Sequence, residues 1–121
     1  MPTEPGAPVG DAPQPPCAVV GRLAKTFEAR KGVNPKESYV AGLLAEGLDA
    51  VLRKVGEETT EVLLAAKGGD RQHVISETAD LWFHSLVMLA KLDLHPDDVF
   101  NELRQREGRS GLAEKAARKS T

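Results

Sequence analysis

The sequence has a single cysteine, Cys17, so it forms no internal disulfide and no multi-cysteine zinc cage, and it suits a reducing cytoplasm. It has no run of about eighteen apolar residues, the length a membrane-spanning helix needs. It lacks the basic start and apolar stretch of a secretory signal. Basic residues are not in excess: 16 Lys and Arg against 18 Asp and Glu give a formal net charge of −2, without the positive footprint of a nucleic-acid binder. That acidic balance does not exclude a phosphorylated substrate, because a bound cation inverts the local field. Strand-like alternation and internal repeats are missing throughout. With 121 residues there is room for one domain and one core.

What the sequence does contain is helical patterning. The first sixteen residues hold six of the eight prolines and almost no large apolar side chains. Such a stretch buries too little surface to offset its ordering entropy. This predicts a flexible tail over 1–16 and a folded domain over 17–121. Val19, Val20, Leu23 and Phe27 then repeat at three- and four-residue steps, predicting a helix that ends near Gly32. Asn34-Pro35 breaks the chain before a short helix from about Ser38 to Glu46. A third helix, about Leu48 to Lys67, carries a buried seam of Leu48, Val51, Val55, Val62 and Ala65. Gly68-Gly69 ends it and Asp70 is the expected N-cap of a fourth helix running to about Lys91. From Leu81 to Leu89 the fourth helix is apolar nearly all round, which suits the middle of a bundle and makes Trp82 and Phe83 expected core residues. His95-Pro96-Asp97-Asp98 opens a last helix, closing near Gly108. The predicted class is all-α, an antiparallel bundle of four to five helices.

Two pairs of acids stand out. On a helix turning about 100° per residue, Lys54, Glu57, Glu58 and Glu61 fall within an arc of about 100°. Glu58 sits on the apolar seam, where an aliphatic residue is expected. The next helix repeats the device with Glu77 and Asp80, and places His84 one turn further on. If the two helices pack antiparallel, four carboxylates meet at their interface. Unpaired charges there are costly, and like charges raise one another's pKa. A hard divalent cation relieves both, and magnesium prefers oxygen ligands while keeping waters. Either pair alone reads equally as an acidic face in water. Patterning leaves the metal site and the solvated face both open.

The string Lys54-Val55-Gly56-Glu57-Glu58-Thr59-Thr60-Glu61-Val62, with Glu77-Thr78-Ala79-Asp80-Leu81 and His84, resembles the phosphoribosyl-ATP pyrophosphohydrolase family. That family lies within the all-α, MazG-like nucleoside triphosphate pyrophosphohydrolases, whose pattern is EExxE, a spacer, then ExxD. Ser38-Tyr39 leading to Leu43-Leu44-Ala45-Glu46-Gly47-Leu48-Asp49, and Ser110-Gly111-Leu112 through Glu114-Lys115-Ala116, resemble the histidine-pathway branch. The resemblance runs from about Val20 to Lys119. It implies hydrolysis of the α–β phosphoanhydride of phosphoribosyl-ATP in histidine biosynthesis, by a stand-alone cytoplasmic enzyme. It implies Mg2+ held by Glu58, Glu61, Glu77 and Asp80, with Glu57, Glu58 and Glu61 as catalytic carboxylates. Glu57 either orients or deprotonates water, or completes the negative shell.

Other residues read two ways. Lys54 meets a substrate phosphate or pairs with Glu57 or Glu58 along its helix. His84 hydrogen-bonds a ligand carboxylate from behind, is satisfied by backbone, or ligates the metal directly. Gly56, costly inside a helix, suggests close approach of another helix or of substrate. Arg109, Lys115 and Arg118 grip a phosphate or form a solvated basic end. A house-cleaning nucleotide pyrophosphatase and a non-enzymatic helical partner-binding module are the rival functions. The expected partners are a nucleotide and a second copy of the chain, in a homodimer or larger even assembly, with neither nucleic acid nor membrane.

Overall fold

A computed structural model describes residues 13–109 together with 111, 115, 116 and 118. The helices are α1 (Ala18–Arg30), α2 (Tyr39–Glu46), α3 (Leu48–Gly68), α4 (Arg71–Lys91) and α5 (Pro96–Arg106). No strand occurs among the described residues, and the chain is an all-α bundle. Of the expected proline-rich tail, residues 1–12 lie outside the described residues, while Pro13, Gln14, Pro15 and Pro16 are exposed. Of the C-terminal stretch from Ser110 to Ala116, only Gly111, Lys115 and Ala116 are described, all exposed.

The turn between α3 and α4 is tight because two residues of the right kind occupy it. Gly69 takes the left-handed conformation, φ +82°, that ends α3. The Asp70 carboxylate then accepts from Gln72 N at 3.0 Å and His73 N at 3.2 Å, capping α4. So short a link forces the two helices antiparallel. Each has 21 residues, about 30 Å of helix. A second glycine sets the other corner. Gly47, at φ +108° and ψ 177°, closes α2 and opens α3 in backbone space open only to glycine.

The core forms where α1 and α2 lean on one end of this hairpin. Phe27, Val40, Leu43, Leu44, Ala50, Val51, Val87 and Ala90 are its buried members. Phe27 meets Phe83 edge to face, ring centroids 5.0 Å apart. Lys91 donates to the Leu44 carbonyl at 3.2 Å, where α2 needs a cation at its C-terminus. Lys31, held by Glu28 at 2.8 Å and Asp93 at 2.7 Å, ties the end of α1 to the loop after α4. α5 begins with a reciprocal cap between His95 and Asp98 and leaves Val99, Phe100 and Leu103 exposed.

Two expectations need correction. Phe83 packs against the core, but Trp82 is 63% exposed. Trp82 shares a face of α4 with Ile75, seven residues earlier, and no helix among the described residues covers either side chain. Gly56 is exposed, and a methyl group added there would meet nothing within 4 Å. No helix among the described residues approaches it closely.

Candidate metal centre

Glu58 occupies the place in the α3 seam that its spacing predicts, between half-buried Val55 and Val62. Its side chain is only 14% exposed. Across the interface α4 presents Glu77 and Asp80, one turn apart, both half-buried. One oxygen from each of Glu58, Glu77 and Asp80 lies within 4.8 Å of the others. Glu61 is exposed and stays outside that cluster, and Glu57 is exposed beside it.

The electrostatics follow from this crowding. Burial pushes the Glu58 carboxyl above its ordinary range, and the charges of Asp80 and Glu77 push it further, with Lys54 pulling the other way. Three carboxylates at one point, all oxygen donors, fit a hard divalent cation that neutralises them together.

Lys54 lies 3.7 Å from Glu57, the i,i+3 pair that its position allowed. His73, which sequence reasoning passed over, lies 3.3 Å from Glu77 with its Nε2, at i,i+4 on α4. That spacing was readable from the helix alone. His84 is 1% exposed and satisfied on both ring nitrogens. Its Nδ1 is 3.0 Å from the Asp80 backbone carbonyl and 3.6 Å from Glu58 Oε1. Its Nε2 is 2.7 Å from the Tyr39 hydroxyl. The ring's hydrogen bonds take the backbone alternative: Nδ1 is bonded to the Asp80 carbonyl, and a cluster carboxylate stands 3.6 Å away without a hydrogen bond. In the sequence Tyr39 stands out only within the stretch that resembles the histidine-pathway branch, with no role of its own. The signal for more was the phenol itself, which needs a partner when it is drawn into a core.

Arg109 and Lys115 are exposed, on the segment after α5. A hollow of about 680 Å³ lies between α1 and the start of α5, against Leu86, Leu94 and Pro96, and includes none of the cluster carboxylates.

The phosphoribosyl-ATP pyrophosphohydrolase family model matches residues 20–107. The phosphoribosyl-ATP pyrophosphatase of Nitrosospira multiformis is 59% identical over 102 residues, which cover 84% of each chain. The protein of the same name from Janthinobacterium sp. (strain Marseille) is 55% identical over 106 residues, 82% of this chain and 94% of that one. A third, from Bordetella avium, is 55% identical over 103 residues, 83% of this chain and 89% of its own length.

Proposed function

The chain belongs to the phosphoribosyl-ATP pyrophosphohydrolase family, and from that premise we propose how its carboxylates perform the hydrolysis. The reaction cleaves the α–β phosphoanhydride of phosphoribosyl-ATP, giving phosphoribosyl-AMP and pyrophosphate, the second step of histidine biosynthesis. The observation that carries the site is the meeting of Glu58, Glu77 and Asp80 oxygens within 4.8 Å, from two helices, at a partly buried position.

These three hold the magnesium ion. Glu61, three residues after Glu58 on the same face of α3 and exposed, would turn inward to serve as the fourth ligand. When bound, the cation neutralises phosphate oxygens and makes water easier to deprotonate. Glu57, Glu58 and Glu61 orient the attacking water and take its proton. Lys54 turns from Glu57 to a substrate phosphate, since an exposed contact of 3.7 Å costs little to break. Arg109 and Lys115 reach the phosphoribosyl phosphate; both lie beyond residue 107, where the family match ends.

No helix among the described residues is long and apolar enough to cross a membrane, and we assign the enzyme to the cytoplasm with its nucleotide substrate. Its working unit is a homodimer or larger even assembly. Leu63, Leu64 and Trp82 are each 63% exposed and Ile75 is 60% exposed. These exposed apolar side chains, on α3 and on α4, are what a second copy of the chain covers while walling the nucleotide cleft.

The test is to incubate purified protein with phosphoribosyl-ATP, with and without magnesium, beside a panel of noncanonical nucleoside triphosphates. Pyrophosphate released from phosphoribosyl-ATP only with magnesium is the expected result. Faster release from the panel would transfer the assignment to a house-cleaning enzyme. Release from neither, with no heat of magnesium binding, would leave a helical interaction module.

A further inference from the structure

Tyr39 is the chain's single tyrosine, and its position is set by a cap. Ser38, buried, accepts from Ala41 N at 3.1 Å and fixes the first turn of α2. One residue later the Tyr39 hydroxyl comes to 2.7 Å from His84 Nε2. On the far edge of the imidazole, Nδ1 is 3.0 Å from the Asp80 carbonyl and 3.6 Å from Glu58 Oε1.

These contacts assign the ring hydrogen. A backbone carbonyl only accepts, so Nδ1 carries the proton and donates to Asp80 O. Nε2 is left with its lone pair and accepts from the Tyr39 O–H. The other tautomer would aim a lone pair at a carbonyl and a carboxylate together, which is repulsive on both counts. The ring is buried, which favours its neutral form. Edge-to-face contacts with Tyr39 and Phe83, centroids 5.8 Å and 5.5 Å away, hold the ring against rotation.

We propose that Tyr39 and His84 are a positioning pair: Tyr39 holds the imidazole so that its Nδ1–H stands against the Glu58 carboxylate and keeps that carboxylate aimed at the metal cluster. The proposal rests on the reading that Glu58, Glu77 and Asp80 hold a divalent cation. A neutral donor suits this place better than a lysine. The imidazole Nδ1–H, already donated to the Asp80 carbonyl, acts on Glu58 across 3.6 Å as a dipole and not as a second hydrogen bond, and it does so without cancelling the charge the cation needs. With His84 only 1% exposed, its part is to orient Glu58 from behind and not to touch substrate.

The experiment pairs nitrogen-15 NMR of the histidine rings with calorimetric titration of magnesium alone, in the full chain and in Tyr39→Phe. In the metal-free wild type, His84 is expected to show a protonated Nδ1 and a hydrogen-bonded, unprotonated Nε2. In Tyr39→Phe the Nε2 signal moves to that of a free lone pair, and magnesium affinity falls about tenfold, the low end for a residue supporting a ligand from behind. Turnover falls at unchanged nucleotide KM. His84→Asn, whose amide can replace the Nδ1–H, retains more magnesium affinity than His84→Leu. A proton found on Nε2, or a Tyr39→Phe variant that binds magnesium as the wild type does, overturns the proposal alone. A wild type that takes up no magnesium overturns the metal reading, and this proposal with it.

Discussion

The two halves of the α3–α4 hairpin share one helical geometry and differ in what surrounds them. At the end that α1 and α2 cover, Ala50, Val51, His84, Val87 and Ala90 are buried. Toward the turn, Ala65 is the only buried residue from 52 to 83, and Leu63, Leu64, Ile75 and Trp82 face outward. Glu58, Glu77 and Asp80 lie between these regimes. They are close enough to the packed half for His84 and Tyr39 to brace Glu58, and close enough to the bare half to be reached by a ligand. A metal centre needs both: fixed ligands on one side and access on the other.

The packed half should fail first when it is cut. Phe27→Ala removes a fully buried ring and its contact with Phe83, and is expected to cost about 3–5 kcal/mol, read by denaturant unfolding. Because α1 props the end that carries Val87 and His84, turnover should fall with it. A loss below about 1 kcal/mol would mean the two halves are equally loosely packed.

Next in size is the cluster itself. Glu58→Gln should lower turnover by about a hundredfold or more, and Glu77→Gln likewise, with the fold intact. Without metal, Glu58→Gln should melt no lower than the wild type. The Glu58 pKa is raised by folding, so its favourable contribution is fully present below its unfolded pKa and lost as pH rises through the folded one. The melting advantage of Glu58→Gln over metal-free wild type should therefore appear near neutrality and shrink toward mild acid. Wild-type turnover in either variant would remove these ligands from the mechanism.

Much of this was legible before any coordinates. The helix ends were written in chemistry that acts locally: Asp70 as a cap, Gly69 as a left-handed stop, Pro96 at the start of α5. Glu58 and its seam were legible because periodicity fixes which residues share a face. What escaped depends on contacts between distant segments. Tyr39 and His84 are 45 residues apart, and no spacing rule links them. Trp82 and Phe83 are neighbours in a uniformly apolar run, and only the placement of α1 decides that one is core and the other surface. Glu61 has the right phase on α3 and still lies outside the cluster, because phase fixes a face and not the reach of a side chain.

A smaller effect, of about 1 kcal/mol, is expected at Gly56. Its added methyl group meets nothing, so Gly56→Ala should stabilise the protein on unfolding. If turnover falls while stability rises, the glycine is there for substrate or for a second chain.

The smallest effect on the protomer, and the sharpest test of the comparison, comes from the bare half. Leu63, Ile75 and Trp82 contribute little to the single chain, since each is at least 60% exposed. Replacing Ile75 by Ser, or Trp82 by Gln, should change unfolding of the dilute protomer by less than about 0.5 kcal/mol, as for ordinary surface positions. Buried under a second copy, the same side chains are worth about 1.5–3 kcal/mol each. The substitutions should therefore act on association: light scattering at micromolar concentration should show the wild type as a dimer or larger even assembly and the variants shifted toward single chains. A fully active wild type with a monodisperse mass near 13.0 kDa would mean that this surface faces water in the working enzyme, and the bare half would then need another explanation.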